Sequence, residues 1–467
     1  MHNYQLLING KLVSAPDQLE VINPATGKVF ASCPKGGLET LNTAVTAAQA
    51  AFAAWSNLAI EQRQACLVKL ARSLEENIES LATLLTQEQG KPIAESRGEI
   101  QGTLAHLYHN AKLDIPIEVL QDDEQALVEV HRSPLGVVAG IIPWNYPIMV
   151  ALCKLAPAVL AGNTFIWKPA PTTPLTALAI GELCQDIFPA GVVNIVTDNN
   201  DLGTKITTHP GIAKVSFTGS TATGKKVMAS SASTLKRVTL ELGGNDPAIV
   251  LSDANVADVA PKLYGAGFGN CGQTCVAMKR LYVHEDLYDE MCDAIAQQAK
   301  AAVIGNGLDA ETTIGPMQNA QQLEKVIVYL EGAKKDGKII AGGNVPDREG
   351  FFIEPTVVRD ISDGTALVDE EPFGPILPII KYSDVDNVIA RANNSVYGLG
   401  ASVWGSDLNK AKQVAARLKA GSKWVNQHGA TLPHIPFGGI KESGIGVEYT
   451  EEGLYEFTNI EVIHLLK

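Results

Sequence analysis

The chain has 467 residues, of which 46% are hydrophobic and 19% charged, and Gly 42 and Pro 24 are near ordinary usage, which excludes collagen-like and disordered classes. Lys+Arg 37 against Asp+Glu 51 gives a formal net charge of −14, the wrong sign for a nucleic-acid or anionic-membrane surface. The length leaves room for two or three domains with cores of their own.

In chain order, residues 5–8 read as a lead-in strand, and a turn follows at Asn23-Pro24-Ala25-Thr26-Gly27. Apolar residues at helical spacing predict helices over 38–55, 60–89 and 93–112. From residue 135 the texture changes to short apolar strands (137–142, 164–168, 192–196, 214–217, 237–241) alternating with helices (148–160, 174–187, 201–208, 221–230). That alternation predicts a parallel sheet covered by helices on both faces. A second alternating block runs from 247 to about 424. Its strands are 248–251, 280–284, 338–341, 357–358, 378–382 and 401–404, and its helices include 255–269 and 287–303. The expected fold class is therefore α/β, with two doubly wound parallel-sheet domains joined near residues 241–246. Residues 125–131 and 457–466 alternate like solitary exposed strands; such strands need partners, which a neighbouring subunit could provide.

No stretch approaches the roughly 18 apolar residues of a membrane span. Residues 1–10 lack a basic segment followed by an apolar one, so no secretory signal is expected. The seven cysteines are scattered, odd in number and free of C-x-x-C pairs. This pattern reads as a reduced, cytoplasmic protein without a zinc or other metal site.

Two phosphate motifs fail on context. Gly267-Phe268-Gly269-Asn270-Cys271-Gly272 has the spacing of a dinucleotide fingerprint, but it ends a predicted helix instead of opening one. Gly219 to Lys225 is nearly a P-loop, yet Lys226 stands where the magnesium-binding hydroxyl belongs. Its setting still matters. A strand running through Thr218, Gly219 and Ser220 into a helix presents free N–H groups to an anion, or forms a plain helix capped by Ser220.

Four segments carry chemistry-bearing residues. Asn270-Cys271-Gly272-Gln273-Thr274-Cys275 is a polar, glycine-bearing loop where either cysteine could be exposed and activated. Cys66, Cys184 and Cys292 lie in helical patterns and read as small core residues. Glu241 ends an apolar strand before Gly243 and Gly244, where burial would raise its pKa and suit it to act as a base; the plain reading is a solvated strand end. In Pro143-Trp144-Asn145-Tyr146-Pro147 two prolines fix the backbone around an amide that could stabilise an oxyanion, or the loop merely packs. Lys168, in Trp167-Lys168-Pro169-Ala170, puts a cation at the same sheet edge.

In this order the segments resemble the aldehyde dehydrogenase superfamily. The resemblance adds Ile22-Asn23-Pro24-Ala25-Thr26-Gly27, Phe217-Thr218-Gly219-Ser220, Glu371-Pro372-Phe373-Gly374-Pro375 and Pro436-Phe437-Gly438-Gly439-Ile440-Lys441. It implies a dinucleotide-binding domain of 1–111 and 135–243, a catalytic domain of 244–442, and an oligomerisation arm of 112–134 and 443–467. It implies Cys275 as nucleophile, Glu241 as general base and Asn145 as oxyanion donor with the Cys275 N–H. Trp144, Lys168, Gly219, Ser220, Glu371 and Phe373 are the implied cofactor contacts, and Glu448 a second carboxylate. The expected activity is oxidation of a small-molecule aldehyde to the acid, with NAD as cofactor, by a homodimer or homotetramer.

Departures from the family pattern qualify this. Pro171 stands where NAD-preferring members often carry Glu, so NADP is not excluded. Cys153 replaces a bulky tunnel aromatic and implies a wider tunnel, with Tyr146 and Phe437 as walls. The loop 427–434 holds His428 and His434 but no Lys or Arg, which leans against a substrate with a distal carboxylate. Two rival classes are a coenzyme-A-acylating dehydrogenase, which tends to lack the base, and a non-catalytic nucleotide-binding protein, which would have lost Cys275, Asn145 or Glu241.

Overall fold

The computed structural model describes residues 3–467; residues 1 and 2, at the start of the expected first domain, lie outside it. Its first sheet has eight strands. Val137–Ile141 is at the middle, with Thr164–Lys168 and Val193–Ile195 to one side and Lys214–Thr218 and Arg237–Glu241 to the other, all parallel. Val137–Ile141 and Thr164–Lys168 are buried at every position, as strands covered on both faces must be. Antiparallel strands finish the edges: Leu6–Ile8 and Lys11–Val13 at one, Gly444–Ile445 at the other. Because the chain leaves Val137–Ile141 first one way and then the other, a crevice opens at the carboxyl ends of the strands flanking this reversal.

The second sheet has seven strands. Asp246–Val250 pairs in parallel with Met278–His284 and with Gly400–Trp404, and only the edge strand Lys338–Ala341 is antiparallel. Each sheet has its own apolar core. A small third cluster of Val276, Leu399, Trp424 and Phe437 lies beside Cys275.

Some expectations need correction. The predicted helix 60–89 is two helices, Ile60–Glu76 and Ile78–Gln89. Asn77 interrupts them, its side-chain Nδ2 donating to the Ser73 carbonyl at 2.8 Å; Asn competes with the helical ladder in this way. The two solitary strands are each other's partners within one chain. Thr458–Leu466 runs antiparallel to Ala126–Pro134, and Glu118–Asp122, which alternation did not reveal, completes a three-stranded sheet. The turn at Asn23–Gly27 joins a further unpredicted hairpin, Asp17–Asn23 with Lys28–Lys35.

Candidate active site

Cys275 lies in the turn between the helix Val256–Phe268 and the strand Met278–His284. The backbone reaches it through three successive left-handed residues, Asn270, Cys271 and Gly272. Gly272 is needed there: a Cβ would come within 2.3 Å of the Gly374 carbonyl. The loop is tied down from several sides. Gln89 Nε2 donates to Asn270 Oδ1 at 3.0 Å, the Asn270 N–H donates to Glu95 Oε2 at 3.0 Å, and Gln273 Oε1 accepts from the Gln318 N–H at 2.9 Å. Left-handed non-glycine residues persist where the surroundings hold them this firmly. Cys271 is only 1% exposed and its sulfur sits 3.8 Å from Met317 Sδ, whereas Cys275 is half-buried. The loop thus presents one of its two thiols.

Asn145 reaches this loop from the first sheet. Its Nδ2 donates to the Gln273 carbonyl at 3.1 Å, which leaves one amide hydrogen free. Its own carbonyl accepts from Lys91 Nζ at 2.8 Å and from Asn270 Nδ2 at 3.2 Å. Lys91 is held by Glu99 at 2.6 Å, both side chains fully buried. Glu99 Oε1 in turn accepts the Ile148 and Met149 N–H groups, capping the helix Pro147–Leu160. Position 145 is therefore fixed through two helices.

Glu241 ends its strand with a buried carboxylate whose two oxygens have no hydrogen-bond partner among the described residues. Burial, and then the Glu448 charge, push its pKa well above the ordinary carboxylate range, while Lys154 opposes them. Lys154 Nζ pairs with Glu448 Oε1. Burial also pushes the Cys275 thiol up to about 12; Lys279 pulls it down, and Glu371, Asp246 and Glu241 add to the rise.

A cavity of about 1100 Å³ opens at the strand reversal of the first sheet. Trp144, Asn145, Lys168, Gly219, Ser220, Cys275, Glu371 and Phe373 all line it; Glu241 does not, but its charge acts on the Cys275 thiol. The strand Lys214–Thr218 runs into the helix Thr221–Ser231, capped by Ser220 Oγ accepting from the Thr223 N–H at 3.3 Å, and Ser220 and Thr223 both line the cavity. Glu371 Oε1 accepts from the Gly244 N–H at 3.1 Å, and a Cβ on Gly243 would lie 2.1 Å from Glu371 Oε2. The glycine pair makes the carboxylate's seat. Trp144 and Phe373 meet edge to face at 5.5 Å. Helix N-terminus, cation, carboxylate and aromatic pair in one crevice of this volume are the kinds of group a dinucleotide needs.

The aldehyde dehydrogenase family pattern matches residues 12–463. The chain belongs to this family. It is 39% identical over 462 residues to a putative aldehyde dehydrogenase of Gibberella fujikuroi, covering 99% of this chain and 98% of that one. An aldehyde dehydrogenase of Bacillus cereus, solved as an NAD+ complex, superposes with TM-score 0.97 at 37% identity, covering 100% of this chain and 97% of that one. An NADP-dependent enzyme of E. coli superposes equally well, at 36% identity, with 100% and 98% coverage.

As a member of the family the chain is an aldehyde dehydrogenase, and sequence reading missed several residues of its site. Lys154 left a trace, a single charge inside an otherwise apolar helix; its partner lies far along the chain. Lys91, Glu99 and Lys279 left none. Tyr449 was also missed: it stacks on Phe437 at 5.7 Å, lies 4.3 Å from the His106 ring, and packs beside Cys275 and Cys153. A ring from elsewhere thus stands beside the small Cys153, and a wider tunnel does not follow. Nor does His428 face a tunnel mouth. Its side chain is 1% exposed, with Nδ1 2.9 Å from Ser402 Oγ and Nε2 2.9 Å from the Val276 carbonyl.

Proposed function

We propose that this aldehyde dehydrogenase oxidises an aldehyde to its carboxylic acid through a covalent adduct on Cys275, with NAD as the preferred cofactor. The observation that carries the reading is that Cys275 and the Asn145 amide share one cavity with the dinucleotide-type features at Lys168, Ser220 and Glu371. Cys275 Sγ attacks the carbonyl carbon. Asn145 Nδ2 and the Cys275 N–H stabilise the oxyanion of the resulting thiohemiacetal. Lys168, the Ser220 helix start and Glu371 would hold NAD, which would accept the hydride that leaves the thiohemiacetal carbon as the Cys275 thioester forms. Glu241 then takes a proton from the water that hydrolyses the Cys275 thioester and frees the acid; burial and the Glu448 charge, which raise its pKa, make it a stronger base once ionised.

The walls beside Cys275 are aromatic, with Phe437 and Tyr449 stacked, which supports an aldehyde with an apolar tail over one with a distal carboxylate. The three-stranded sheet exposes Ile460 (61%) and Leu466 (87%), apolar surface that supports assembly into a homodimer or homotetramer. The test is NADH formation from a panel of aldehydes, with and without coenzyme A. Activity should appear without coenzyme A and vanish in Cys275→Ala; an active Cys275→Ala refutes the mechanism.

A further inference from the structure

Lys279 lies at the start of the strand Met278–His284. A lysine leading into an apolar strand ordinarily reaches for solvent, yet this side chain is 4% exposed. Its Nζ donates to the Thr274 carbonyl at 2.8 Å and to the Cys275 carbonyl at 2.7 Å, and pairs with Glu371 Oε1 at 3.1 Å. It also lies 5.7 Å from the centre of the Phe373 ring. One buried cation thus joins the cysteine loop to the segment that carries Glu371 and Phe373.

Two of those acceptors are consecutive carbonyls. The Thr274 carbonyl and the Cys275 N–H belong to one planar trans peptide unit and point opposite ways. Holding that carbonyl fixes where the Cys275 N–H aims, and this N–H has no backbone acceptor among the described residues. Resting on Cys275 as the nucleophile, we propose that Lys279 is its positioning residue, pinning the peptide units on both sides of the cysteine and placing a positive charge beside them.

The charges around the sulfur make that cation matter. Glu371 faces it from the segment before Ile376–Tyr382, Asp246 from Asp246–Val250, and Glu241 from the end of Arg237–Glu241; all three disfavour the thiolate, as does burial. Tyr449 borders it from the C-terminal segment, His428 stands 3.6 Å from Asp246, and Lys154 with Glu448 acts on Glu241. After burial, Lys279 exerts the largest effect on the thiol, and it favours the thiolate.

The test is alkylation of the full-length, cofactor-free enzyme by iodoacetamide at about pH 8 and pH 9, with the labelled cysteine identified by peptide mass spectrometry. Lys279→Met and Lys279→Gln should each slow Cys275 alkylation about tenfold, the loss expected from a thiol pKa raised by about one unit. Lys279→Arg should stay within about threefold of wild type. If Lys279→Met does not fold, the Gln and Arg variants decide on the same criterion. Equal rates in wild type and the neutral variants overturn the proposal, as does an Arg variant slowed as much as the neutral ones. A Cys275→Ala enzyme that still turns over fails the nucleophile reading instead, a result distinct from either.

Discussion

Lys168 Nζ lies 2.7 Å from Asp198 Oδ1, and both side chains are buried away from solvent. The contact is charge against charge and not an aligned hydrogen bond, since Asp198 Oδ1 has no hydrogen-bond partner among the described residues; Lys168 Nζ also approaches Asn200 Oδ1 at 3.3 Å. An added 2′-phosphate would meet a cation already neutralised.

The enzyme should accordingly bind NAD more tightly than NADP. Asp198→Asn should raise kcat/KM for NADP relative to NAD about tenfold, the effect of about 1.4 kcal/mol. Fluorescence titration of both cofactors, beside steady-state rates, checks this. A wild type that prefers NADP, or a ratio unmoved in the variant, contradicts it.

Neutralising Glu448 should shift the pH dependence of deacylation downward. Glu241 must lose its proton to act, so the rate rises with pH through its raised pKa, and Glu448 is one cause of that rise. Glu448→Gln should move the ascending limb to lower pH, and Lys154→Met should move it to higher pH. Single-turnover rates of acid release across pH give the comparison.

Asn145→Ala removes one oxyanion donor and should lower kcat by about 10²–10³, or about 3–4 kcal/mol in the barrier. Cofactor affinity should change far less, because Lys168 and Glu371 remain. A kcat within about threefold of wild type would exclude Asn145 from the role.

Charging both exposed faces of the strand Thr458–Leu466 should break the proposed homo-oligomer. Val462→Lys with Leu465→Asp places charges on an apolar surface. Light scattering should report a smaller species than wild type; an unchanged mass would put the interface elsewhere.

The residues legible in the sequence were those whose backbone leaves local marks. Prolines bracket Asn145, glycines follow Glu241, and a glycine-bearing loop precedes Cys275, so type and approximate place could be read together. The strand–helix alternation gave both wound sheets in the same way. What stayed hidden depends on contacts between distant segments. Nothing near Glu99 says that it caps the helix Pro147–Leu160. Nothing near Lys279 says that Glu371 will meet it. The two exposed strands were visible by alternation, but their pairing with each other was not.

The most direct test is to trap the covalent intermediate. The Glu241→Gln enzyme, mixed with NAD and an aldehyde, quenched and digested, should yield the acyl mass on the peptide at Cys275, together with one equivalent of NADH per site. A burst of NADH with no acyl group on Cys275, or with the group on Cys271, would contradict the account.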